Sequence, residues 1–154
     1  MKKTNIKNFK KTLSKFTTGV TIICIEKKGM VMGKTVNSFN SLSLDPPLVL
    51  FSLGNYSSSI NSYLKANLLT INILSKKQKK LSDNFSQKQP NIDMSKFNRG
   101  KNKTFFLKEC VANLECKLTD KIKKGDHIIF ICKVLKVQTN DDLKPLTYYN
   151  SKYC

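Results

Sequence analysis

Apolar residues recur along this chain in two periods, and the switches between them predict the order of elements. Ile6, Phe9, Leu13 and Phe16 fall three and four residues apart, so residues 6–18 read as an amphipathic helix with lysines opposite and Gly19 as its stop. Phe9 and Phe16 are expected to bury as core of that helix. From Val20 the period becomes that of strands. Val20–Ile25 is a β-branched run, Lys27-Lys28-Gly29 a turn, and Met30–Phe39 a second strand. Leu48–Leu53 is a third, led in by Pro46-Pro47, which cannot donate to a ladder. Residues 58–66 read as a short helix with Ser57 as cap, Leu69–Leu74 as a strand, and Ser75–Phe85 as a helix whose Ser-Lys-Lys-Gln start resembles a capping box. Residues 86–104 hold Pro90, Gly100, lysines and asparagines with little apolar periodicity, and read as a long loop with a helical turn near Met94–Phe97. Val111–Thr119, His127–Val137 and Leu146–Tyr149 complete the strands, with Lys124-Gly125-Asp126 as a turn. No repeat or linker interrupts the pattern. The expectation is one domain over residues 1–154, mainly β, closed into a small barrel with a few peripheral helices.

Composition narrows the picture. A chain of 154 residues suits one hydrophobic core. Its longest apolar runs are strand-length, so no membrane span is expected, and no apolar stretch follows the basic N-terminus as a secretory signal requires; a cytoplasmic location is the expectation. The five cysteines are odd in number and form no C-x-x-C, which predicts free thiols, with Cys24, Cys116 and Cys132 in apolar strand patterns and Cys154 exposed. With His127 the only histidine, neither a zinc site nor a Ser-His-Asp triad has its parts. The net charge of +18 would suit a nucleic-acid partner. However, Arg99 is the only arginine, the lysines are spread along the chain and asparagine is abundant. The charge therefore reads as a compositional bias of the genome, and no nucleic-acid partner is expected.

The richest polar stretch is Gly33–Leu53. Thr35, Asn37, Ser38, Asn40, Ser41 and Ser43 crowd hydrogen-bonding groups where a strand ends, an arrangement that could hold a phosphate and a polar ring edge, or could be a Ser/Asn-rich turn. Ser57-Ser58-Ser59 precede a helix and could meet an anion or simply cap it.

These residues carry a resemblance. TGVT at Thr18–Thr21, G-x-T-x-x-SF at Gly33–Phe39 and S-x-SLDPPLV at Ser41–Val49 resemble the flavin reductase-like domain family, the reductase components of two-component flavin monooxygenases. Asn72-Ile73-Leu74 with Gln78, Leu81, Ser82 and Phe85, then ANLEC at Ala112–Cys116, Gly125-Asp126-His127 and Pro145-Leu146 with Tyr148-Tyr149 continue it in order. The resemblance implies an FMN-binding split β-barrel of Greek-key antiparallel strands, usually a homodimer, that passes hydride from NADH or NADPH to FMN or FAD for a partner flavin-dependent monooxygenase. The same barrel also serves non-enzymatic flavin- or haem-binding proteins. By this resemblance Thr35, Val36, Asn37, Ser38 and Phe39 would line the isoalloxazine, Ser41, Leu42 and Ser43 would lie near the ribityl chain and phosphate, Ser57 and Ser59 would add phosphate contacts, and Phe85 would line the flavin pocket. His127 would lie by the nicotinamide as a binding group. No protein acid or base is needed for hydride transfer, so no catalytic residue is expected, and the positive field would attract anionic flavin and nicotinamide phosphates. Lys34 departs from the family pattern, which often has a hydrophobic residue there, and Ser151 replaces a glycine common in the closing motif.

Overall fold

The structure, a computed structural model, describes residues 5–154. Its frame is one seven-stranded antiparallel sheet. In chain order its strands are β2 (Thr21–Lys27), β3 (Met30–Val36), β4 (Asn40–Leu44), β5 (Pro47–Gly54), β6 (Leu68–Ile73), β9 (Ala112–Lys124) and β10 (His127–Thr139). Their order across the sheet is β3-β2-β6-β9-β10-β5-β4. Two small sheets flank it: β1 (Thr18–Gly19), β11 (Thr147–Tyr149) and β12 (Lys152–Tyr153) form one, and β7 (Phe97–Arg99) pairs with β8 (Phe105–Leu107) in the other.

This order has a geometric consequence. The strands β3 and β4 are the two outer edges, yet only residues 37–39 connect them. Four peptide steps reach roughly 14 Å at full stretch, so the sheet has to curl until its edges nearly meet. The expected closure by a continuous ladder is not what forms. The edges stay unpaired and the barrel is split there, because the chain leaves the pleat at Asn37. Across the split, Ser38 Oγ donates to the Ser52 carbonyl and accepts from the Ser52 N–H, both at 3.0 Å, so one side chain stands in for a ladder rung.

Inside the curl lies the larger core, with Phe51 and Phe130 stacked at 5.1 Å among Ile23, Ile71, Leu69 and Cys132. Asn72, fully buried, ties four strands together: its Nδ2 donates to Ile22 O (2.9 Å), and its Oδ1 accepts from Leu107 N (3.0 Å) and Asn113 Nδ2 (2.8 Å). A buried amide so fully paired fixes register. The smaller core lies outside, where Ile22, Val31, Leu74, Phe85, Phe97 and Leu107 meet beneath α3 (Lys79–Ser86).

Three lysines close helices from a distance. Lys34 Nζ donates to Ser86 O and Gln87 O at the end of α3, Lys121 Nζ to Leu64 O in the last turn of α2 (Ile60–Lys65), and Lys108 Nζ to Ser95 O in the 3₁₀ turn Met94–Lys96. Carbonyls left over at helix ends favour such cationic donors.

Several expectations change. The first helix, α1, is only Ile6–Leu13, and Gly19 belongs to β1. Its apolar face is not core: Ile6, Phe9, Leu13 and Phe16 are 52–77% exposed. The strand expected over Met30–Phe39 ends at Val36, and the next, β4, begins only at Asn40. The cap of α2 is Ser59, whose side chain makes no capping bond, not Ser57. The capping box at Ser75 forms as expected, with Ser75 N donating to Gln78 Oε1 at 2.9 Å. The loop 86–104 contains β7. The expectation of free thiols holds: Cys24, Cys116 and Cys132 are buried and unpaired, and Cys110 is a fourth. Burial pushes the thiols of Cys110 and Cys132 up to about 12, so they are inert at neutral pH.

Candidate functional site

A cleft of 410 Å³ opens at the split in the barrel. One wall is the end of β3 with its exit, Lys34 to Ser38; the opposite wall is the end of β5, Ser52 to Gly54, continuing into Tyr56, Ser57 and Ser58; Ser86, Lys88 and His127 complete the rim. A cleft of this size, lined mostly by polar residues with Val36, Leu53 and Tyr56 as its apolar part, has room for a small molecule. A 400 Å³ recess on the other side of Thr35, Val36 and Asn37 reaches Tyr148 and Tyr153, and an 810 Å³ hollow under α1 reaches Asn37, Ser38 and Phe39. The strand end that the sequence singled out is thus approached from three sides.

The hydroxyls of this strand are already engaged. Thr35 Oγ1 donates to Ser82 O at 2.7 Å, sewing β3 to α3, and Ser38 Oγ spans the split. Each hydroxyl has one proton, so neither remains a donor toward the cleft. What they leave for a ligand is backbone held in fixed shape beside the exposed Asn37. Ser57 Oγ and Ser59 Oγ sit 3.0 Å apart, Ser57 on the cleft and Ser59 on an adjoining 170 Å³ pocket that also includes Lys34 and Lys88.

His127 pairs with Gly54 at the start of β10. Its Nδ1 lies 2.7 Å from Asp126 Oδ1, so Nδ1–H donates to the carboxylate and Nε2 is left free. The hydrogen bond from His127 holds the Asp126 carboxyl below its usual range. Tyr56 stands edge-on to His127, with ring centroids 6.5 Å apart, against Gly54, where a Cβ would come within 2.7 Å of the Tyr56 ring. Asn55 N–H to Asp126 O (2.9 Å) ties this loop to the β9–β10 turn. No carboxylate lines the cleft; its charged or chargeable groups are Lys34, Lys88 and His127.

Of the expected site residues, Thr35, Val36, Asn37, Ser38, Ser57 and His127 come together around the cleft, and Phe39 lies on the hollow beneath α1. Ser41, Leu42 and Ser43 do not line it: they lie along the edge strand β4. Phe85 is no lining residue. It is 1% exposed, packed edge-on to Phe97 at 6.2 Å and pressed on Gly33, where a Cβ would fall 2.6 Å from its ring. The sequence reading missed Tyr56 and Lys88 and treated Lys34 only as a departure. An aromatic directly before the serine run was the available signal for Tyr56; Lys88 gave none within a lysine-rich loop.

Comparison with known proteins agrees with this geometry. The sequence profile of the Flavin reductase like domain matches residues 13–154. The FMN reductase (NADH) SmoA of Agrobacterium fabrum is 34% identical over 137 residues, 89% of this chain and 79% of its own. Among solved structures, flavin reductase PheA2 superposes with a TM-score of 0.90 at 32% identity, covering 98% of this chain and 97% of that one. The styrene monooxygenase flavin reductase of Pseudomonas putida S12 superposes at 0.87 with 29% identity, covering 96% of both. The chain spans 45% of the length of one curated relative and 76–85% of seven others. With the profile running from the end of α1 to the last residue, the chain belongs to the flavin reductase-like domain family.

Proposed function

We propose that this protein is an NAD(P)H-dependent flavin reductase that supplies reduced FMN or FAD to a partner oxygenase. The observation that carries this reading is the position of the cleft: it opens on the G-x-T-x-x-SF segment, between strands that the family profile covers. The residues present fit a flavin. The Thr35–Ser38 backbone is rigidly held, Val36, Leu53 and Tyr56 offer apolar surface to a ring, Ser57 and two lysines are placed for a phosphate, and among the described residues no carboxylate opposes an anion. When bound, flavin accepts hydride from the nicotinamide and carries the electrons away, so the protein has no proton to move in that step. Its own residues bind and orient. Ser38 fixes the split at one width, Thr35 fixes the strand to α3, and His127, locked by Asp126, offers Nε2 as an acceptor for the nicotinamide nucleotide.

The functional unit is a homodimer that uses the exposed face of α1 and the hollow beside it, a surface too apolar for scattered exposure. Among the described residues no helix is long and apolar enough to cross a membrane. The four buried free thiols suit a reducing, cytoplasmic location. The test is oxidation of NADH and of NADPH by purified protein with FMN, FAD and riboflavin added in turn. Turnover that depends on added flavin supports the reading; tight flavin binding without turnover replaces it with a flavin carrier.

A further inference from the structure

Two cations of the cleft have no anionic partner among the described residues. Lys34 is half-buried on β3, with Nζ 3.0 and 3.1 Å from two carbonyls of α3. Lys88, exposed, makes no hydrogen bond among the described residues and lines the same cleft and the same adjoining pocket. The one ion pair among the described residues is Asp126 with His127, so neither lysine has a carboxylate within reach.

A partly desolvated ammonium loses hydration that carbonyl dipoles replace only in part, and burial already pulls the Lys34 pKa down. Closing α3 takes a donor rather than a charge: the Ser86 and Gln87 carbonyls are neutral acceptors, so the cap leaves the positive charge unmatched. Two of the three Lys34 N–H bonds are used, one is free, and its charge is uncompensated. Lys88 adds a second positive charge on the rim of the same cleft, which Ser57 also lines, and Ser59 shares the adjoining pocket with both lysines.

Building on the flavin reductase reading, we propose that Lys34 and Lys88 read a phosphate monoester, so that the cleft prefers a phosphorylated ligand to the same ligand without its phosphate. Two phosphates have this chemistry, the 5′-phosphate of the flavin and the 2′-phosphate of NADPH.

The experiment measures dissociation constants for FMN and riboflavin, and KM for NADPH and NADH, in the wild type, Lys34→Gln, Lys88→Gln and the double variant. Glutamine keeps a donor for the α3 carbonyls and removes the charge. Lys34→Gln lowers the preference for the phosphorylated ligand by roughly tenfold, the scale of one charge-assisted hydrogen bond. Lys88→Gln lowers it about two- to fivefold, as an exposed pair does. Riboflavin and NADH change little. A fall in the FMN-to-riboflavin ratio locates the flavin phosphate; a fall in the NADPH-to-NADH ratio locates the nucleotide's. Both ratios unchanged in the folded double variant overturn the proposal, as does a lowered Tm for Lys34→Gln with both ratios intact, which would make it a helix cap only. Pyrophosphate tests the rim independently of flavin. It should raise the Tm of the wild type more than that of the double variant, and equal shifts reject the rim even if the protein proves not to reduce flavin.

Discussion

The helices α1 and α3 have the same length and the same kind of pattern, apolar on one side and lysine-rich on the other, and meet opposite fates. In α3 the apolar side lands on β3, where Gly33 lacks the Cβ that would strike Phe85 and so lets the ring close on the sheet. Thr35 and Lys34 then hold its carbonyls. In α1 the apolar side stays largely exposed among the described residues; the helix is tied at its end, where Asn150 N donates to Ser14 O (2.7 Å) and Lys15 Nζ to Asn150 Oδ1 (3.0 Å). Periodicity announces that a face is apolar; it does not name the surface that covers it.

The contrast can be broken most strongly at Phe85. Phe85→Ala should destabilise the protein by about 3–5 kcal/mol, by transfer and cavity terms, read by urea unfolding. Gly33→Ala attacks the same joint from the other side and should cost about 1–3 kcal/mol by overpacking, with weaker flavin binding because β3 shifts. On α1, Phe9→Asp should leave protomer stability within about 0.5 kcal/mol; its effect is on association, seen as a shift from dimer to monomer in sedimentation at micromolar protein. A fall in stability as large as that of Phe85→Ala would show that α1 packs as α3 does. Smallest is Asn150→Gly. Asn150 and Ser151 form the two-residue turn between β11 and β12 at φ 49° and 62°, so glycine keeps the turn and deletes the acceptor for Lys15. Amide exchange in α1 should speed up while overall stability moves by less than about 1 kcal/mol.

This contrast also explains what was legible in the sequence. Strands with a buried face (β2, β5, β6 and the inner half of β10) declared themselves because burial imposes the apolar pattern. The edge strand β4 did not: Asn40, Ser41 and Ser43 read as a turn since half of an edge's backbone and side chains meet water. Likewise β7 hid in a polar loop, and β9 runs to Lys124 through residues that follow solvent rather than core. In the site, the Thr35–Ser38 segment was legible from its hydroxyl density, although those hydroxyls turned out to hold the scaffold. Phe85 was misplaced because an aromatic three residues from a strand partner's reach looks the same in sequence whether it faces a ligand or Gly33. The charged rim was illegible, because position 88 is one lysine among many.

The lysine-capped helices bear on how freely this composition can drift. The chain has only six glycines, and none follows α1, α2, α3 or the 3₁₀ turn at Met94–Lys96 as a local stop. For three of those four, the stop is written instead in a side chain from a distant part of the fold, at positions 34, 108 and 121. These three lysines couple helix ends to β3, the segment after β8, and β9. In a full substitution scan they should stand out as intolerant points in an otherwise permissive basic surface, where a side chain that elsewhere only meets water is part of the architecture.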